Sequence, residues 1–200
     1  MTPDDSKPNF TALADAFAAM PTNPIPYELT PEGQRMTAFR KVWPARFQEK
    51  LDRKRLKNPK AFDAVAAWDG KAPGMLAYGP TGHAKTWAAW VALGRLYVRE
   101  NQTFVFFPIA RLLDRIKKLE GLEPALFDSR GCRIVFVDDA DKFNADFDSE
   151  RVALFEFYDH MSVTKRPVIT TTNQDRKWWE KRMGEAFARR LFEDTTVVKF

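Results

Sequence analysis

Apolar and polar residues alternate along this chain in two periods. Short runs rich in apolar or β-branched residues predict buried strands: Met75 to Tyr78, Phe104 to Ile109, Ile134 to Val137 and Val168 to Thr172. Between them, apolar residues return every three or four positions, the spacing of helices packed on one face. Residues 85–100 read as a helix carrying Trp87, Trp90, Val91, Leu96 and Tyr97 as packing residues. Ile109, Leu112, Leu113, Ile116 and Leu119 give the apolar face of the next helix, and Asp148 to about Val163 reads as another. Strands separated by helices argue for a parallel sheet.

Capping residues sharpen the boundaries. Thr30-Pro31-Glu32 offers a cap, a proline at the first helical position and an acid in the first turn, so a helix runs to about Val42. Asn58-Pro59 starts a second, ending near Trp68. Asp175 caps a helix with Trp178 and Trp179, Gly184 to Phe192 forms another, and Thr196 to Phe200 is a last strand. Near the start, Asn9 precedes Phe10, Leu13, Ala14, Phe17 and Met20 at helical spacing. The prolines at 21, 24 and 26 follow as a stiff tether. Phe10, Leu13 and Phe17 read as a docking stripe for a partner, or as a helix folded back on its own domain.

The chain divides into a flexible extension with a short amphipathic helix (1–29), a basic helical segment (30–70) and an α/β core (71–200). Its 200 residues, 44% hydrophobic, suffice for one core. No apolar run is long enough to cross a bilayer, the start lacks a signal-peptide pattern, and the single cysteine, Cys132, excludes an internal disulfide. Cytoplasmic localisation is expected.

The net charge of +5 permits nucleic-acid contact. Between Arg40 and Lys60 basic residues crowd the chain, with only Glu49 and Asp52 opposing them. Arg111, Arg115 and Lys118 form a basic stripe at helical spacing, partly offset by Asp114 and Glu120. The first reads as a contact for nucleic acid or an acidic partner, or as a solvated face; the stripe reads as a DNA contact or a solvated face.

The densest chemistry lies at Gly79-Pro80-Thr81-Gly82-His83-Ala84-Lys85-Thr86, between a strand and a helix. The pattern is that of a phosphate-binding loop with Ala84 in place of its second fixed glycine. Backbone N–H groups of such a loop wrap phosphates, Lys85 reaches the β- and γ-phosphates, and the Thr86 hydroxyl ligates Mg²⁺. The Ala84 methyl is tolerable if its φ stays negative and costly otherwise. A second signal is Ile134 to Asp139, four apolar residues delivering two carboxylates to a strand's end. With a phosphate loop upstream, Asp138 would hold the Mg²⁺ shell and Asp139 would polarise water; the plain alternative is an acidic turn. Asn173, at the end of another strand, would orient water or start a turn. Arg189 and Arg190 would act on a neighbour's ATP or merely favour a helix C-terminus.

In order and spacing, Trp43 to Phe47, the 79–86 loop, the 134–139 strand, Val168 to Asn173 and Arg189-Arg190-Leu191 resemble the helicase-loader branch of the AAA+ ATPases. That branch holds the DnaC-type loaders and the IstB-type transposition helpers. The resemblance covers roughly residues 40–200. It implies a P-loop NTPase fold of three layers, with a parallel five-stranded sheet of order 5-1-4-3-2 and no separate helical lid. It aligns Lys85 and Thr86 with Walker A, Asp138 and Asp139 with Walker B, Asn173 with sensor 1 and Arg190 with the arginine finger, Arg189 being the adjacent candidate. ATP and Mg²⁺ are the implied cofactors. Self-association through ATP sites, a hexameric replicative DNA helicase and single-stranded DNA are the implied partners. The expected function is an ATPase that loads this helicase in replication initiation. The alternatives are a transposition helper preferring duplex DNA and a non-catalytic helicase adaptor. Asp139 departs from the glutamate many AAA+ ATPases carry, which weakens the expected water activation.

Overall fold

A computed structural model of the chain describes residues 30–48, 51–118, 133–144 and 146–200. The expected docking stripe of Phe10, Leu13 and Phe17 lies outside the described residues, as do Glu49, Leu119, Glu120 and Cys132.

Helix α1 (Pro31–Val42) starts as its sequence demands: the Thr30 hydroxyl accepts from Gly33 N at 3.2 Å. Helix α2 (Pro59–Ala66) is capped by Asn58, whose Oδ1 accepts from Ala61 N at 3.1 Å. Then follow β1 (Gly74–Tyr78), α3 (Lys85–Glu100), β2 (Phe104–Pro108), α4 (Ile109–Lys118), β3 (Ile134–Asp138), α5 (Asp148–Val163), β4 (Val168–Thr172), α6 (Arg176–Met183), α7 (Glu185–Glu193) and β5 (Thr195–Lys199). Ile109, expected to close a strand, opens α4 instead. Pro108 has no N–H to carry the ladder further.

All strand pairs are parallel, in the order β2-β3-β4-β1-β5. Read from the other edge this is the expected 5-1-4-3-2. The three central strands are buried on both faces, with apolar runs in β1 and β3 and buried threonines, Thr170 to Thr172, in β4. Alternate residues serve opposite layers. Ile134 and Phe136 pack with α1, α2 and α3, while Val135 and Val137 pack with α4, α5 and α7. Trp90, fully buried, is the hub of the first layer, with ring centroids 4.9 Å from Phe106 and 5.7 Å from Phe136. On the second face Trp179 stacks on Phe143 at 5.7 Å and meets Phe187 at 5.4 Å. The tryptophans of α3 and α6 therefore form core rather than a base-stacking platform.

Because the strands are parallel, every strand points its C-terminal end to one edge of the sheet. The loop after β1, the acids after β3 and Asn173 after β4 meet there by topology alone.

Candidate nucleotide site

The loop after β1 has positive φ at three of its residues, Gly79, Gly82 and Ala84. Gly79 has φ +138°, and a Cβ there would lie 2.6 Å from the carbonyl oxygen of Phe200, so no side chain fits. Ala84 has φ +65° and ψ +23°, in the left-handed region. The condition under which its methyl would be harmless is not met. The backbone adopts a conformation that glycine tolerates freely, and with alanine it carries a strain of about 1 kcal/mol or more.

Helix α3 begins at Lys85, whose side chain is 5% exposed and folded into the loop. Its Nζ donates to Gly79 O at 2.8 Å, to Pro80 O at 2.9 Å and to Asn173 Oδ1 at 3.0 Å. Burial holds the ammonium below the usual lysine range, against the opposing pull of Asp139, Asp141 and Asp138. An anion in the loop would relieve that cost, since phosphate oxygens can take over the acceptor role of the carbonyls.

Thr86, one position further, donates from Oγ1 to Asp138 Oδ1 at 2.7 Å. Asp138 is buried at the end of β3 and also accepts from Thr171 Oγ1 at 2.6 Å. Burial raises its pKa above the usual carboxylate range, while the hydrogen bonds from Thr171 and Thr86 oppose the rise. A hydroxyl and a carboxylate this close form the hard-oxygen pair that suits Mg²⁺, which typically takes one or two protein oxygens and completes its shell with phosphate and water. The residues present therefore fit Mg-ATP.

Asp139 is exposed, with φ +54° and its N–H donating to Thr171 Oγ1 at 3.0 Å. The Thr171 hydroxyl thus ties both acids to β4. The left-handed turn at Asp139 directs the chain into a short 3₁₀ turn, Ala140–Lys142, which buries Asp141. Asp141 has no role in the sequence motif. The structure makes it the anchor of Asn173. Its Oδ1 accepts from Asn173 N at 2.8 Å and from Thr172 Oγ1 at 3.0 Å, and its Oδ2 accepts from Asn173 Nδ2 at 3.3 Å. Burial alone would raise the Asp141 pKa. Those hydrogen bonds and the nearby Lys142 outweigh it and hold the carboxyl below its usual range. With its N–H groups committed to Asp141, Asn173 points its carbonyl oxygen at Lys85 and at Thr81 Oγ1, 3.3 Å away. The only sequence signal for this role is the spacing of Asp141, three residues beyond the strand's own acid.

The basic segment before β1 borders the site. The Arg46 guanidinium lies 4.5 Å over the Phe47 ring, which meets Trp87 at 6.0 Å, and its charge is felt at Asp138. Arg53 instead pairs with Asp63 at 2.7 Å. His83 has its pKa lowered by burial and by the charges of Lys57 and Lys85.

The two arginines of α7 sit elsewhere. Arg190 pairs with Asp159 at 2.5 Å and covers the Phe155 ring at 4.9 Å. It lines a hollow of about 410 Å³ together with Gly74, Val168 and Thr195, the first residues of β1, β4 and β5. That is the opposite end of the strands from Lys85. Arg189 is exposed and has no ion pair among the described residues.

The basic stripe of α4 is largely occupied. Lys118 pairs with Asp114 at 2.8 Å, the neighbouring Lys117 pairs with Glu150 at 3.0 Å, and Arg115 lies 5.8 Å over Phe107. Arg111 is exposed.

No protein-family model matches the chain, and no curated protein matches it in sequence. Solved structures do match. The DnaC helicase loader superposes with a TM-score of 0.56 at 18% identity, over 70% of this chain and 85% of that one. DnaI gives 0.54 at 15%, over 70% and 77%. The replication initiator DnaA bound to AMPPCP and single-stranded DNA gives 0.53 at 11%, over 71% of this chain and 44% of that one. At these identities the likeness shows the fold alone: the chain shares the three-layer fold of these solved proteins, built on a parallel five-stranded sheet. Among the described residues no helix is long and apolar enough to cross a membrane.

Proposed function

We propose that this AAA+ protein is an ATP-dependent loader of a hexameric replicative DNA helicase, acting on single-stranded DNA as replication starts. The observation that carries the reading is the convergence of Lys85, Thr86, Asp138 and Asn173 within hydrogen-bond distance at one sheet edge. Solved proteins of the same fold include a helicase loader and an initiator holding AMPPCP and single-stranded DNA.

In this reading the backbone of residues 79–84 and Lys85 hold the β- and γ-phosphates of ATP. Thr86 and Asp138 hold Mg²⁺. When bound there, Mg²⁺ would supply positive charge that offsets the charge developing on the phosphates. Asp139, exposed at the rim, accepts a proton from the attacking water. Asn173 orients that water through its carboxamide, and Asp141 fixes the carboxamide. Arg190 cannot serve its own loop from the far end of the strands, so it acts on a neighbour's ATP. The N-terminal stripe of Phe10, Leu13 and Phe17 recruits the helicase.

A second reading, the non-catalytic adaptor, is favoured by one observation: Ala84 keeps a left-handed conformation that glycine would hold without strain. The two readings separate on ATP hydrolysis measured against protein concentration. The loader predicts slow turnover in dilute solution and a rate per subunit that rises as subunits assemble. The adaptor predicts no hydrolysis at any concentration.

A further inference from the structure

Opposite the nucleotide site, the residues entering three adjacent strands are basic. Lys71 leads into β1, Arg133 into β3, and Lys165 with Arg166 into β4. None of these is close to another strand's group in sequence. The order β3-β4-β1 sets them side by side, with strands about 4.8 Å apart. Together they line a hollow of about 420 Å³, and no acidic side chain among the described residues lines it. This basic trough adjoins the hollow of about 410 Å³ beneath Arg190, sharing Ala72, Lys165 and Arg166 with it; the acid Asp194 lines only the latter.

Backbone contacts fix the cations. Arg133 N donates to Thr103 O at 3.0 Å. Lys165 has φ +51° in a turn closed by its own N–H to Ser162 O at 3.1 Å and by Arg166 N to Met161 O at 3.0 Å. Arg133 and Lys165 are exposed and have no ion pair among the described residues. Lys71 meets Asp69 at 3.5 Å, with both side chains more than 60% exposed, a pair that contributes little. Like charges gathered in a concavity repel one another and focus a positive potential that attracts anions.

We infer that this trough binds the phosphate backbone of a nucleic-acid strand. Exposed cations arrayed across several loops suit a polyanion, which they hold by releasing its counterions. A lone phosphate would need buried donors, and the cations here face solvent. The α4 stripe is the weaker candidate, because its cations lie on one helix with Asp114 among them, whereas the trough gathers cations from three strands with no acid in its lining. The inference deepens the proposed function by naming where DNA is held, and it rests only on the DNA-binding part of that reading.

The test is fluorescence anisotropy of labelled oligo(dT), and of a duplex of the same length, across a salt series. The variant is Lys71→Glu/Arg133→Glu/Lys165→Glu, beside the milder Lys71→Gln/Arg133→Gln/Lys165→Gln. Cooperative thermal unfolding checks that each is folded. The wild type should bind with strong salt dependence. The charge reversal should weaken binding at least 10-fold near 0.1 M salt. Losing three phosphate contacts should lower the slope of log K against log salt by about 2 on a single strand. Arg111→Glu/Lys118→Glu should change affinity less than 3-fold. The arm that binds more tightly identifies single-stranded or duplex DNA as the ligand. The inference is overturned if a folded trough variant keeps wild-type affinity and slope, if only the α4 variant loses binding, or if the wild type binds neither DNA. It is also overturned if the trough variants keep DNA but lose the helicase, which would assign the trough to an acidic protein surface. Failure of the loader reading shows separately, as no helicase complex with any variant.

Discussion

The carboxamide oxygen of Asn173 lies 3.0 Å from Lys85 Nζ, although 88 residues separate them in the chain. The contact joins the end of β4 to the start of α3 at the mouth of the proposed phosphate loop. In the proposed function, a phosphate that takes over the Lys85 ammonium would break this hydrogen bond, and the pair would report the loop's occupancy to β4.

The first expectation concerns Lys85 itself. Saturating Mg-ATP at about 100 times its Kd should stabilise the protein by about 2.7 kcal/mol. For a chain of this size that is a rise in Tm of roughly 5–10 °C. Lys85→Ala should lose the shift. Its nucleotide-free Tm should change little, because the buried ammonium it removes is itself disfavoured by burial. Differential scanning fluorimetry with and without Mg-ATP measures both.

Ala84→Gly should stabilise the nucleotide-free protein by about 1 kcal/mol, since glycine holds φ +65° without a Cβ clash. Denaturant unfolding with an unchanged m-value checks it. A lower midpoint in the variant would show that the loop relaxes in solution to a conformation suited to alanine.

Asp141→Ala removes the acceptor for Asn173 N and the Thr172 hydroxyl, and should cost about 2–3 kcal/mol. If ATP is hydrolysed, turnover should fall more than nucleotide affinity, because Asn173 loses its orientation while Lys85 remains. Nucleotide Kd and kcat, measured separately, distinguish the two effects.

Asp141 also sets an acid limit. Its folded pKa lies below the unfolded value near 3.9. Its stabilisation is therefore fully present above about pH 4 and is lost as pH falls through the depressed folded value. Asp138 has the opposite sign: its raised pKa makes protonation favour the folded state as pH drops. Chemical unfolding between pH 7 and 3 should show Asp141→Asn with a shallower acid decline than wild type, and Asp138→Asn with a steeper one.

Arg190→Ala should lower assembly-dependent ATP hydrolysis by about 10³-fold or more if the guanidinium acts in trans. Mixing it with Lys85→Ala should restore activity. One partner then brings an intact loop and the other an intact arginine. The Arg189→Ala variant should retain most of the rate. The reverse ranking would assign the role to Arg189, which has no ion pair among the described residues to break.

Much of the architecture was legible because local chemistry and topology agree. Thr30-Pro31, Asn58-Pro59 and Asp175 cap the helices that their sequences announce. Unbroken apolar runs mark strands buried on both faces. The phosphate loop was legible as a pattern, but a pattern carries no dihedral angle, so the left-handed Ala84 was not. Asp141 was hidden because its meaning depends on a residue of the next strand. The α4 stripe was read from spacing alone, which cannot show that Glu150 of another helix pairs with Lys117. The trough was invisible for the same reason: its cations are neighbours only once β3, β4 and β1 lie side by side.

The central claim is that the nucleotide loop governs a complex with a replicative helicase. The most direct measurement is light scattering after size-exclusion of the protein mixed with the hexameric helicase, in Mg-ATP and then in Mg-ADP. The account predicts a complex of defined mass with ATP, whose mass or yield changes with ADP, and no such difference for Lys85→Ala. A complex indifferent to nucleotide, or no complex in either state, would contradict it.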